Sequence, residues 1–169
     1  DSVKDLNGRS AAMSPATNVA NPDFSKIRAS GFREYHYEKF TDTMLRYGRG
    51  GDVIKLWKEG IRAGIFLPEL HGREHIAVQF WLKELGQGNR DLLPGFAHEV
   101  VSIEIPGVVP HLQGFRPEFY FDNETQKPFL NNAIIQGADL FNDIFEYKPQ
   151  VFVPSNGIFH PDFESTLTS

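Results

Sequence analysis

Hydrophobic positions fall into short blocks along this chain, and their period changes from block to block. Val53, Leu56, Trp57 and Gly60 repeat at i, i+3, i+4 and i+7. They predict a helix capped by Asp52, running to Ala63 and stopped by Gly64. Val78, Trp81, Leu82 and Leu85 predict the buried face of a helix over 74–86. Leu130, Ala133, Ile134, Gly137, Phe141 and Phe145 mark the stripe of a long helix that starts at Asn123 or Thr125 and is ended by Pro149. Shorter helices are predicted after Asn21-Pro22-Asp23, with Phe24 and Ile27 inward and Gly31 as the stop, from Thr41 through Tyr47, and over 91–99 around Pro94. Between them lie runs with extended character: 11–20 with an irregular middle at Pro15, 32–37, 65–70, 119–121 and 151–153.

The resulting order is β-α-β-α-α-β-α, an irregular stretch, then α-β-α. Such alternation predicts an α/β fold with a parallel sheet or barrel, here one domain over 1–169. The irregular stretch, 100–117, holds Pro106, Gly107, Pro110, Gly114 and Pro117 and reads as a long functional loop or an insertion. Both ends read as interrupted elements. Residues 2–8 look like the last turns of a helix with an Asn-Gly stop, and 162–169 like an N-cap with too little helix after it. The expectation is a fragment of a longer protein, with unpaired strand edges that invite homo-oligomers.

Composition narrows the chemistry. The net charge of −5 and the lack of a basic block argue against nucleic acid and anionic membrane as partners. No apolar run reaches the roughly 18 residues of a membrane span. With no Cys there is neither a disulfide nor a thiolate metal site, and either redox compartment is compatible. Gly48-Arg49-Gly50-Gly51 lacks the Gly-Lys-Ser/Thr ending of a phosphate loop.

The candidate chemistry lies at His71-Gly72-Arg73-Glu74-His75, on the seam between the apolar run 65–70 and the helix that follows. With His71 at a strand end and His75 in the first helical turn, or with both on one helix, two imidazoles can converge on one metal ion at about 2.0–2.1 Å. Ligands in parallel α/β folds bind at the C-terminal ends of strands. The run 151–153 delivers Pro154 and Asn156 to the same rim, as candidate substrate-binding residues. His36 reads as a packing histidine.

The motif resembles the second motif of the polysaccharide deacetylase (NodB-homology) family, His-[Ser/Thr]-x-x-His just after a barrel strand, with Gly72 where Ser or Thr is usual. Asn21-Pro22-Asp23-Phe24, Glu34-Tyr35-His36-Tyr37, Leu56-Trp57-Lys58-Glu59-Gly60 and the histidine motif also have close counterparts, in the same order, in a Bacteroidetes branch of deacetylase-like proteins. The resemblance implies a partial (β/α) barrel of the deacetylase type that acts on a carbohydrate. It implies a divalent metal, zinc being the expected ion, held by one Asp and two His, with His71 and His75 matching the two histidines. The family's metal and base Asp residues would precede residue 1, and its acid His would follow residue 169, so this chain alone is expected to be inactive or nearly so. Its third motif carries an Arg before the Pro, whereas this chain has Val153-Pro154.

Other readings stay open. His71, Glu74 and His75 also fit the His-x-x-Glu-His signature of inverted zinc peptidases, with Glu74 as base and Glu146 as a distal third ligand. Gly72 is a poor residue for the helix which that motif needs. A glycosidase, cellulase-like, could use two of Glu69, Glu74, Glu118 and Asp122. A carbohydrate-binding or purely structural domain would leave the histidines to packing, as Trp57 and Trp81 are expected to be. Arg73 is expected to pair with Glu69 or Glu74.

Overall fold

The structure, a computed structural model, describes residues 3–48, 50–109, 112 and 114–168. Its strands are β1 (Ala16–Asn18), β2 (Ala20–Pro22), β3 (Tyr37–Lys39) and β4 (Glu69–Gly72). Its helices are α1 (Phe24–Ala29), α2 (Phe40–Arg46), α3 (Gly51–Arg62), α4 (Val78–Gly86), α5 (Leu93–Ala97), α6 (Lys127–Phe145) and α7 (Glu164–Leu167). Short 3-10 turns precede α6 and α7 and follow Pro154.

β1 and β4 pair in parallel, and a Met13–Phe66 bridge prolongs the pairing backwards. On its other side β4 meets Phe152 through a parallel bridge at Leu70. β4 is thus the middle of the parallel sheet. β2 and β3 form a separate antiparallel pair. The chain is mixed α/β with a small parallel sheet, and the described residues form no closed barrel. No helix among them is long and apolar enough to cross a membrane.

Capping chemistry set several boundaries as expected. The Asp23 side chain accepts from the Lys26 N–H at 3.0 Å and starts α1, and Gly31 ends it at φ +66°. Before α6, Asn123 and Gln126 form a reciprocal capping box. α6 stops at Phe145, ahead of Pro149, because Glu146 adopts the left-handed conformation at φ 66°.

Other elements differ from expectation. In 32–37 only Tyr37 is in a strand, since Phe32 takes a left-handed conformation at φ 61° and the Glu34 N–H turns back to the Ser30 hydroxyl at 3.2 Å. Phe119–Phe121 is no strand: Phe119 is buried in a turn closed by the Tyr120 N–H on the Pro117 carbonyl at 3.2 Å, and irregular chain follows. Residues 4–10 form a turn in place of a helix: Asp5 Oδ1 accepts from the N–H groups of Asn7 and Arg9 at 2.9 and 2.8 Å, competing with helical bonding. Leu56 is 62 % exposed, while Trp57 and Ile61 face inward. Gly60 lets Phe66 come close, since a Cβ there would lie 2.8 Å from the Phe66 Cβ. Ser2, Arg49 and Pro110, which entered the sequence reading, lie outside the described residues.

The interior divides into aromatic-rich clusters. One joins α1, α4 and α5 through Phe24, Ile27, Trp81, Leu85 and Phe96, and the irregular stretch adds Phe115 to it. A second joins the sheet to α6 through Val19, Leu70, Phe141 and Phe145. A third joins α6 to the segments around Phe119 and Phe163. The described residues of the stretch 100–117 are therefore partly a cover over α4, anchored where the Ala77 N–H donates to the Phe115 carbonyl at 2.5 Å.

Candidate functional site

The register of β4 against β1 slips at its end: Thr17 pairs with Leu70 and Asn18 with Gly72, so His71 is the extra residue. A bulge of this kind re-aims the side chain it carries. The chain then bends, and α4 starts only at Val78, which leaves His75 in the bend and off the helix. The two imidazoles stand next to one another, with ring centroids 4.9 Å apart and planes inclined by 53°. His71 Nδ1 lies 2.6 Å from the Val153 carbonyl oxygen. A carbonyl can only accept, so Nδ1 carries a proton, and in the neutral ring the lone pair is on Nε2. Burial lowers the pKa of His75, and the neighbouring His71 lowers it further. Both features suit neutral imidazole donors.

Directly behind this pair the chain buries charge. Arg73 makes a two-pronged bridge to Glu74, Nε to Oε2 and Nη2 to Oε1, both at 2.6 Å. Its Nη1 donates to Gln136 Oε1 on α6. The guanidinium carbon lies 4.5 Å from the ring centre of Tyr37, 5.3 Å from that of Phe129 and 5.4 Å from that of Tyr35. Glu118, directly after the covering stretch, accepts from the Arg73 N–H at 3.1 Å and more weakly from the Glu74 N–H at 3.4 Å. Its own N–H donates to the buried Ser155 Oγ at 2.8 Å.

One glycine makes this possible. Gly72 sits at φ +126°, and a Cβ on it would lie 2.0 Å from Glu118 Oε2. The Glu118 carboxylate occupies the space that a Ser or Thr side chain would need. Gly137 serves α6 similarly, because a Cβ there would come within 3.2 Å of the Arg73 nitrogen.

The cluster holds one cation and two carboxylates. Burial raises the Glu74 pKa, against the pull of Arg73. Burial works against the Arg73 charge, but its bonds to Glu74 outweigh that and hold its pKa above the ordinary arginine value. Glu118 is pushed well above the usual carboxylate range, by burial first and by the charge of Glu74 next. Glu74 is bridged by the guanidinium and Glu118 is not, so Glu118 is the carboxyl pushed higher. The Tyr35 phenol is raised by burial and by Glu74, beside which it lies without a well-aligned hydrogen bond.

The remaining candidates separate. Asn156, in left-handed conformation at φ 54°, lines a small pocket of about 180 Å³ with Phe115, Arg116 and Pro117. Arg116 is also a neighbour of His75. Pro154 leads into the 3-10 turn that carries Ser155 and does not line that pocket. A larger groove of about 720 Å³, lined by Leu70, Ala138, Val151 and Phe152, lies along the sheet edge and includes neither histidine. Glu69 accepts from the N–H groups of Gln150 and Val151 at 2.8 and 2.9 Å, so Arg73 pairs with Glu74 and not with it. Glu146 pairs with Lys58 at 2.6 Å, Asp122 is exposed, and His36 stands beside Glu34. Trp81 is fully buried and Trp57 is half-buried, stacked on Phe66 with centroids 5.9 Å apart.

Two nitrogen donors are therefore together, but no group of three or more His, Cys, Asp or Glu side chains able to hold a metal occurs among the described residues. Glu146 does not complete the set. The sequence reading missed Ser155, Gln136 and the aromatic surround of Arg73. The alternation in Glu34-Tyr35-His36-Tyr37 was a signal, but it reads equally as a strand. Compared with models of known protein families, with curated proteins and with solved structures, the chain gave no match.

Proposed function

We propose that the chain belongs to a carbohydrate-active hydrolase resembling the metal-dependent polysaccharide deacetylases, built on a partial (β/α) barrel, and that His71 and His75 are two ligands of one divalent ion, zinc being the expected one. The observation that carries this reading is the pair itself: two imidazoles, 4.9 Å apart, at the C-terminal end of the central parallel strand. A divalent ion there supplies Lewis-acid polarisation of an acyl carbonyl and of an attacking water. The chain's own residues do the holding. Val153 fixes the His71 tautomer, the bend brings His75 alongside, and Asn156 with Arg116 offers polar groups for a sugar chain at the neighbouring pocket.

The rival chemistries have less support. The inverted peptidase motif needs Glu74 on a helix beside the histidines, but His71 is in β4 and the Glu74 carboxylate is bound to Arg73. A glycosidase pair of Glu74 and Glu118 would have to meet a sugar, yet each is only 1 % exposed.

Zinc titration by calorimetry tests the metal reading. One ion per chain is expected, bound weakly because a full site uses three protein ligands plus water, and lost in His71→Ala and in His75→Ala. Zinc uptake that both variants retain overturns it. Acetate release from acetylated glycans tests the substrate class. Little or none is expected from this chain alone, since its carboxylates nearest the turn are buried and engaged. Formation of sugar reducing ends in its place would favour the glycosidase.

A further inference from the structure

Glu118 adds polar ties to a strand end that backbone pairing and packing already hold, through the Val153 N–H on the Leu70 carbonyl at 2.9 Å, the Ala77 N–H on that of Phe115 and the Phe119 ring against Phe152. Its carboxylate accepts from two successive backbone N–H groups, Arg73 and Glu74, in the bend between the histidines. It rests on Gly72, the residue next to His71. Its N–H reaches the fully buried hydroxyl of Ser155, two residues beyond the carbonyl that holds His71 Nδ1. A single residue thus joins the His71–His75 bend, the 153–155 loop and the covering stretch.

We propose that Glu118, acting with Gly72 and Ser155, is the positioning residue of the histidine pair: it fixes the bend that brings His75 beside His71 and couples that bend to the loop whose carbonyl sets the His71 tautomer. The inference rests on the reading that the pair binds a divalent ion. A carboxylate suits this place because one acceptor group can serve two adjacent N–H donors. Glutamine offers the same carbonyl oxygen in nearly the same shape, whereas alanine leaves both N–H groups buried without an acceptor. The group that holds the His71 ring is the Val153 carbonyl, and Glu118 acts on it only through Ser155 and the bend.

The test uses the whole chain with isotope-labelled histidine and needs no metal for its first part. Nitrogen NMR of the imidazoles should show His71 as the pure Nδ1–H tautomer in the parent chain and in Glu118→Gln, and as a mixture in Ser155→Ala and Glu118→Ala. If Glu118→Ala fails to fold, Ser155→Ala and Glu118→Gln decide the matter, with dispersed amide spectra as the check on folding. Titration with cobalt(II), read by its absorption, should then show affinity kept in Glu118→Gln and weakened by about tenfold or more in Ser155→Ala. A Ser155→Ala protein with an unchanged His71 tautomer and unchanged cobalt affinity overturns the positioning role. If the parent chain takes up no cobalt, or His71→Ala takes it up equally well, the metal reading fails, and the tautomer comparison still decides whether Glu118 positions the ring.

Discussion

Along α6 the buried residues are Leu130, Ala133, Ile134, Gly137, Phe141 and Phe145, the same six that the helical period selects. In the bend that α6 packs against, Ile76 and Ala77 are buried among apolar neighbours, but Arg73 and Glu74 are buried as well, joined by Glu118. The two regions touch where Gly137 meets the Arg73 backbone, yet they are held by different physics. α6 gains by removing apolar surface from water, which depends on size and shape and little on orientation. The bend buries charge, which is tolerable because the guanidinium is bridged to Glu74 and the backbone N–H groups donate to Glu118 Oε1. A periodic surface tolerates local error. A polar network fails at whichever member is removed.

The largest effects should come from substitutions that cut each region at its centre. Phe141→Ala removes a fully buried ring and should cost about 3–5 kcal/mol in chemical denaturation. Arg73→Leu should cost a similar amount, about 3–5 kcal/mol, for a different reason: it leaves the Glu74 carboxylate buried without its partner. The double variant Arg73→Leu, Glu74→Gln separates the mechanisms. It should recover much of the Arg73→Leu loss, because the uncompensated charge is gone. A double variant no more stable than Arg73→Leu would mean that the bend is held by packing, as α6 is.

A smaller effect is expected at Gly72. Gly72→Ser places a side chain at φ +126° and against Glu118, and should cost about 1–3 kcal/mol from backbone strain before any displacement of the carboxylate. Combining it with Glu118→Ala should relieve the steric part. If Gly72→Ser is as stable as the parent, Glu118 does not occupy that space in solution.

The gentlest probe is pH. Glu118 has a folded pKa above its ordinary value of 4.5, so between the two values the folded chain holds a proton that the unfolded chain has released. Its contribution is fully present at acid pH, declines as pH rises from about 4.5, and is gone once the folded group also ionises. The lowered pKa of His75 pushes the other way, so the readout is the difference between two curves: in thermal unfolding the parent should lose stability relative to Glu118→Gln as pH rises, giving the two chains different slopes. Equal slopes in the two chains would assign the pH dependence elsewhere.

The same contrast explains what could be read from the sequence. α6 and the face of α4 were legible because hydrophobic period is a local signal, and the starts of α1 and α6 because capping residues act within a few positions. The start of α4 was placed too early, at Glu74. A surface-like Arg-Glu pair ahead of an apolar run reads as a first helical turn, whereas here both side chains turn inward. Phe119–Phe121 read as a strand because apolar runs carry no direction of their own. The histidine pair was legible from its spacing and its place after a strand. Its supports were not, since Ser155 and Gln136 lie more than 60 positions away and nothing near either one announces a partner.

The central claim is that His71 and His75 act as one donor pair set by the strand end. The most direct measurement is zinc titration followed by histidine side-chain NMR, which resolves each ring. The account predicts that the His71 and His75 signals move together, saturate at one ion per chain, and leave the signals of the other histidines in place. If either ring fails to respond, or the two saturate at different zinc concentrations, the pair does not share an ion and the claim is contradicted.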